Sequence, residues 1–242
     1  MKYNTLEHKN CFITGATGGI GKHLAMKMLE NGCHLFLTST NISKLKGLKE
    51  ELETLYTRDT KIFYEHGDLS KIQDINKLVA IAKEKFPSID ILINCVGIFI
   101  VKPLSDSKLE DFDTTFNLNV RAAFALCKAF SQDMIKKKWG RIINIGSSSA
   151  YAGFKETSLY CASKHALLGF SRALHDELKN HNIRTFCVSP SGTKTEMGKL
   201  IKGQNFDTLL EPKDIAEYIA FILSFDNEMV TEEIRLNRMV IQ

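Results

Sequence analysis

The sequence predicts a doubly wound α/β fold, a mostly parallel sheet of seven strands with helices on both faces. Three observations lead there. Apolar, β-rich segments alternate with helical patterns along almost the whole chain. Several strand segments (HLFLT, DILIN, RIINI, RTFCVS) are near-continuous hydrophobic runs, as expected where helices cover both faces of a parallel sheet. The spacing of the repeats leaves room for a right-handed crossover helix between successive strands.

Taken in order, the first strand is expected at Asn10–Thr14 and the first helix at Ile20–Asn31. Strand Cys33–Thr38 precedes helix Ser43–Tyr56, with Ser43 as its N-cap, and strand Lys61–His66 precedes helix Ile72–Phe86. Strand Ile89–Asn94 is followed by one long helix, Ser107–Lys137, and strand Arg141–Ile145 by helix Ser158–His181. Strand Ile183–Ser189 leads into a long irregular segment, Pro190–Glu211, and then to helix Pro212–Phe225, with Pro212 in the first turn where a missing N–H costs nothing. A short seventh strand is expected near Glu233–Leu236. No linker, repeat or low-complexity tract divides the chain, so residues 1–242 read as a single domain.

Composition narrows the function. Hydrophobic residues make up 44% of the 242 and charged residues 25%, which suits a globular chain with a sizeable core. Thirty-two Lys and Arg against 28 acids give a net charge of +4, spread along the chain rather than gathered into the stripe of a nucleic-acid binder. The apolar run Ile91–Val101 is broken by Asn94 and too short for a bilayer, and MKYNTLEHKN has no secretory h-region, so a cytoplasmic protein without a membrane partner is expected. The six cysteines are scattered, with no C-x-x-C pair and no metal-like His spacing, and read as reduced, buried side chains; no metal site is expected.

After the first strand comes Thr14-Gly15-Ala16-Thr17-Gly18-Gly19-Ile20-Gly21, opening a helix. Glycines there allow a tight turn and let backbone N–H groups approach a pyrophosphate, which the helix N-terminus also attracts. The G-x-x-x-G-x-G spacing of Gly15, Gly19 and Gly21 resembles the T-G-x-x-x-G-x-G turn of the short-chain dehydrogenases/reductases, a family with a Rossmann-like fold.

Further segments carry the resemblance over about residues 8 to 200. Tyr160-Cys161-Ala162-Ser163-Lys164 sets a phenol and an ammonium one helical turn apart. A nearby cation stabilises a phenolate and draws the tyrosine pKa down from about 10 toward the range where acid–base catalysis works best. Thirteen residues before Tyr160, a buried-looking strand ends in Gly146-Ser147-Ser148-Ser149, at the sheet edge where ligands bind. Any of these serines is placed to polarise a carbonyl; the family's serine-to-tyrosine spacing favours Ser147. The family's active-site asparagine, which in relatives helps hold a water in the proton relay, matches Asn119.

The resemblance also implies cofactor contacts. It assigns the phosphate turn to Gly15, Thr17, Gly19, Ile20 and Gly21, and the adenine site to Asp68 and Leu69. Asn94-Cys95-Val96-Gly97 stands in place of N-N-A-G, keeping Asn94 and Gly97. Pro190-Ser191-Gly192-Thr193-Lys194-Thr195 resembles the P-G-x-x-x-T segment that cups the nicotinamide in relatives, so Pro190, Gly192, Thr193 and Thr195 join the set. Tyr160 and Lys164 also meet the nicotinamide ribose. The tail, Glu232 to Gln242, departs from the glycine-rich V-D-G-G ending of many relatives, which bears on the subunit contact made there.

No acid lies between Leu35 and Leu48, whereas an NAD site wants a carboxylate at the end of the second strand. Ser39, Thr40 and Asn41, with Lys44 nearby, favour NADP(H) over NAD(H). The expected function is an NADP(H)-dependent oxidoreductase moving hydride between nicotinamide and a carbonyl or secondary alcohol, with a 3-oxoacyl thioester as the best single substrate. The alternative is a catalytically silent NADP(H)-binding regulator or scaffold. In the Pro190–Glu211 segment, Met197, Leu200, Ile201, Phe206, Leu209 and Leu210 read as an apolar flap over the substrate. Lys138, in the run Lys136–Lys138, and His181 match positions by which 3-oxoacyl-acyl-carrier-protein reductases meet acyl-carrier protein. The family also implies a homo-oligomer, a tetramer or dimer joined through the two long helices.

Overall fold

The computed structural model describes residues 5–56, 59–201 and 203–239. Its sheet has seven parallel strands: β1 (Asn10–Thr14), β2 (His34–Ser39), β3 (Ile62–His66), β4 (Ile91–Asn94), β5 (Gly140–Ile145), β6 (Ile183–Pro190) and β7 (Glu233–Leu236). Their order across the sheet is β3-β2-β1-β4-β5-β6-β7, and every pairing is parallel. The direction of winding reverses between β1 and β4, and ligands bind at the carboxyl ends of strands at such a switch.

Alternation along the strands builds two cores. In β1, Cys11 and Ile13 point to one face and Phe12 to the other. The first face packs under helices α1 (Gly19–Glu30), α2 (Ile42–Leu55) and α7 (Pro212–Leu223), through Leu24, Met28, Leu45, Leu52 and Ile219. The second packs under α3 (Ile72–Lys85) and α5 (Ala122–Lys137), with Phe12 between Phe36, stacked at 5.0 Å, and Phe130 at 5.2 Å. The cysteines are free thiols, all buried but the half-buried Cys95. Among the described residues no His, Cys, Asp and Glu gather as a metal cluster, and no helix is long and apolar enough to cross a membrane.

Three expectations are corrected. The helix expected at Ser107–Lys137 is three pieces: α4 (Leu109–Phe116), a π-helical turn (Asn117–Arg121) and α5. Ser43 does not cap α2; Asn41 does, its Oδ1 accepting from the Lys44 N–H at 2.9 Å. The helix expected to run to His181 is α6 (Ser158–Leu178), which ends in a 3₁₀ turn at Lys179–His181 and a left-handed Asn182.

Candidate active site

A cleft of about 1190 Å³ opens at the switch between β1 and β4. On its nucleotide side the wall is backbone. Gly15 has φ +62, and a Cβ there would press on the Val96 backbone at 3.1 Å. The Thr14 hydroxyl accepts from the N–H groups of Cys95 and Val96 at 2.9 and 3.0 Å, which ties the end of β1 to the end of β4. No side chain caps α1, and its first helical bond is from Lys22 N–H to the Gly18 carbonyl, so the N–H groups of Gly19, Ile20 and Gly21 have no intrahelical acceptor. A Cβ on Gly21 would stand 2.1 Å from the Gly15 carbonyl oxygen, and one on Gly19 would stand 2.4 Å from the Thr195 methyl. A cradle this close, with helix amides directed along it, fits a dinucleotide pyrophosphate.

Beyond the ends of β2 and β3 the cleft is lined by Ser39, Thr40, Lys44, Gly67, Asp68 and Leu69. The Asp68 carboxylate accepts from the Ser70 hydroxyl at 2.7 Å and from its N–H at 3.0 Å, which holds its pKa below the usual value. Neutral or positive groups line the end of β2, as a 2′-phosphate requires. Asn41 does not line the cleft; its side chain is spent on the α2 cap. Asn94 does not line it either. Its amide donates to Asn144 Oδ1 at 2.8 Å, bracing β4 against β5 inside the sheet.

The opposite wall is made of side chains. Ser147 follows β5, and Tyr160 and Lys164 sit one turn apart on α6; all three line the cleft. Of the three serines, only Ser147 bears on the phenol, its hydroxyl acting to lower the Tyr160 pKa. Phe99 meets the Tyr160 ring edge-on, centroids 4.7 Å apart. Lys164 Nζ lies 5.7 Å from the Tyr160 ring centre and donates to the Ile145 carbonyl at 2.7 Å.

Burial, and not the lysine, sets the direction of the tyrosine pKa: it is raised, and the Ser147 hydroxyl only partly offsets the rise. Lys164, 4% exposed, is itself lowered to about 8 by burial. Both groups are thus brought out of water, and each resists its charged form.

Asn119 does not line the cleft. It is 2% exposed, inside the π turn, and its amide clasps the backbone of Ile98: Oδ1 accepts from the N–H at 2.8 Å, and Nδ2 donates to the carbonyl at 3.0 Å. Its other Nδ2 hydrogen goes to Ser163 Oγ at 3.0 Å. The side chain therefore fixes the chain after β4 against α6, next to Gly97, where a Cβ would come 3.3 Å from Asn119 Oδ1. A π turn at such a place is a familiar mark of a functional site.

Pro190, Gly192, Thr193 and Thr195 line the cleft above β6. The segment beyond them is tied down by bonds from Leu210 N–H to the Gly192 carbonyl and from Lys194 N–H to the Leu210 carbonyl. Met197, Leu200 and Ile201 face the cleft, Leu209 is buried beneath the loop, and Phe206 and Leu210 do not line the cleft. Sequence reasoning missed, among the lining residues, Phe99, Val101 and Leu118, the turn Phe154–Thr157, and Gln204, Asn237 and Arg238. Only the unusual tail offered a signal for the last two.

Set beside known proteins, this geometry has a family. The profile of the short chain dehydrogenase family matches residues 9–205. The chain belongs to that family of oxidoreductases. It is 30% identical to the 3-oxoacyl-[acyl-carrier-protein] reductase FabG of Rickettsia felis over 235 residues, 93% of each chain. It is 28% identical to an NAD-dependent glycerol dehydrogenase of Listeria innocua, over 93% of this chain and 90% of that one. Among solved structures, a metagenomic short-chain oxidoreductase in complex with NADP superposes with a TM-score of 0.85 at 26% identity, over 98% of this chain and all of the other.

Proposed function

We propose that this protein is an NADP(H)-dependent carbonyl reductase that takes a 3-oxoacyl thioester, with Ser147, Tyr160 and Lys164 as its catalytic residues. The observation that carries the reading is the convergence of those three side chains on one wall of a cleft where the end of β2 presents Ser39 and Thr40, with Lys44 nearby, rather than an acid. The NADP complex of the metagenomic relative and the name of the Rickettsia reductase support the cofactor and the substrate. The glycerol dehydrogenase of Listeria is named for NAD, so the cofactor is the sharpest part to test.

The reduced nicotinamide, when bound, supplies hydride to the carbonyl carbon. Gly19, Ile20 and Gly21 would hold the pyrophosphate, Asp68 and Leu69 the adenine, and Ser39, Thr40 and Lys44 the 2′-phosphate. Ser147 donates to the substrate carbonyl oxygen and polarises it. Tyr160, which its raised pKa keeps protonated before the reaction, then gives its proton to the forming alkoxide, a stronger base than the phenolate left behind. Lys164, held by the Ile145 carbonyl, stabilises the resulting phenolate. Asn119 acts as a positioning residue through Ile98 and Ser163. A silent regulator is not favoured, because binding alone has no use for the phenol and ammonium together.

Initial rates of the purified protein with acetoacetyl-CoA decide the matter. A kcat/KM with NADPH at least tenfold above that with NADH is expected, from charge complementarity at Lys44. A preference for NADH refutes the cofactor assignment, and turnover of simple ketones but no thioester refutes the substrate. The reading extends to a cytoplasmic homo-oligomer paired through α5 and α6, where the exposed Phe124 meets Phe170 edge-on with centroids 6.0 Å apart. A monomer by light scattering removes that part.

A further inference from the structure

The acids lining the cleft all have partners: Asp68 has Ser70 and Lys71, Glu156 has Lys155, and Glu196 has Lys199. Three of the lining cations have no carboxylate within salt-bridge reach among the described residues. Lys44 sits at the adenosine end, Lys164 beside Tyr160, and Arg238 under the flap. The first two are absorbed by the function proposed above; Arg238 is not.

Arg238 comes from the tail beyond β7, the part of the chain that departs from its relatives. It is half-buried, donates from Nη2 to Gln204 Oε1 at 2.9 Å and from Nη1 to Thr208 Oγ1 at 3.3 Å, and its Nε is buried without an acceptor. Both oxygens it meets are neutral. A guanidinium offers five donors in a planar fork suited to carboxylate and phosphate, and here it is held partly out of water with its countercharge missing. Gln204 Oε1 and Ile201 Cδ1 both stand beside Gly192, 3.4 and 3.2 Å from where its Cβ would be, so the bond to Gln204 holds Arg238 against the part of the lining that Gly192 and Ile201 form.

We infer that Arg238 is a specificity-determining residue, which binds an anionic group carried by the substrate. The inference rests on the reductase reading only in taking the flap side of the cleft as the substrate's. The anion is either a carboxylate on a short keto acid or a phosphate on the carrier arm of an acyl thioester, and one experiment separates the two.

Acetoacetate and methyl acetoacetate form one pair; acetoacetyl-CoA and S-acetoacetyl-N-acetylcysteamine form the other, each an anion beside a neutral counterpart. Equilibrium binding by calorimetry, with and without saturating NADP⁺, requires no turnover. Wild type prefers the anion of at least one pair, and Arg238→Gln lowers that preference about tenfold, the scale of a charge-assisted hydrogen bond. Arg238→Lys keeps part of it. Thr208→Val, which cuts the tether but not the charge, retains the preference. Selectivity within the first pair identifies a carboxylate, and within the second a phosphate. Equal weakening of both members of a pair, no anion preference in wild type, or a loss of NADP⁺ affinity instead overturns the inference. Anion selectivity lost in Arg238→Gln from a protein that reduces none of the four with NADPH leaves the subsite standing and removes the reductase reading.

Discussion

The two walls of the cleft are built on opposite principles. The wall at Gly15–Gly21 is backbone fitted against backbone, and a single added carbon meets the Gly15 carbonyl at 2.1 Å or the Thr195 methyl at 2.4 Å. The wall at Ser147, Tyr160 and Lys164 is side chain set in burial, and its chemistry depends on polar atoms held away from water. One wall cannot gain an atom; the other cannot lose one. A dinucleotide-binding cleft thus combines a steric mould with an electrostatic one, and the two fail differently.

The largest effect is expected from deletion on the side-chain wall. Tyr160→Phe removes one hydroxyl and should cut kcat about 10²- to 10⁴-fold, the usual worth of a positioned acid, while NADPH affinity stays within a few-fold. Stopped-flow turnover beside fluorescence titration checks it, and a variant with more than about a tenth of wild-type turnover breaks the contrast.

Additions to the other wall come next. Gly21→Ala should destabilise the fold by about 1–3 kcal/mol and abolish measurable NADPH binding, because the backbone oxygen it meets has nowhere to go. Gly19→Ala meets a side chain instead. Adding Thr195→Ser, which removes the offending methyl, should recover part of the lost affinity, whereas no such partner exists for Gly21→Ala. Thermal melts and cofactor titration of the single and double variants decide whether the mould is rigid where the neighbour is backbone and adjustable where it is not.

The smallest effect concerns stability. Lys164 drops from 10.5 to about 8 on folding, so its charge opposes the folded state by roughly 3 kcal/mol at neutral pH. The penalty is fully present below about pH 8. It fades as pH rises toward 10.5, because in that window the unfolded chain holds the proton that the folded one has lost. Lys164→Met should therefore be inactive yet more stable than wild type at pH 7, by about 1–3 kcal/mol once the lost bond to Ile145 is counted. The advantage should shrink between pH 8 and 10.5 in denaturant titrations. A variant less stable than wild type at pH 7 means that the ammonium is not held at a cost.

Much of this was legible in the residues. All seven strands were placed, and β2, β4, β5 and β6 were read from hydrophobic runs, because a strand buried on both faces has little freedom in composition. The glycine turn and the Tyr160–Lys164 spacing named their wall because backbone clearance and helical periodicity are local properties. What stayed hidden depended on distant partners. NLNVR contains no helix breaker, and nothing local indicates the π turn that carries Asn119 to Ile98. Asn41 and Asn94 sit at strand ends facing the cofactor region, yet one is used by a helix N-terminus and the other by Asn144. Asn41 and Ser43 are both good capping residues two positions apart, and only the path of the chain chooses between them. The tyrosine pKa followed the same pattern: spacing gave the neighbour, but burial set the sign.

The extra residue accommodated between Asn117 and Arg121 also sets a phase. Each residue of a helix advances the side chains by about 100°, so excising one from that stretch would let an ordinary α-helix run on from Leu109 with everything before it rotated relative to α5. Asn119 would swing off Ile98, and the chain beside Gly97 would lose its clasp. A one-residue deletion there would thus act as a frame error in three dimensions, silencing a centre whose Ser147, Tyr160 and Lys164 had all been left in place.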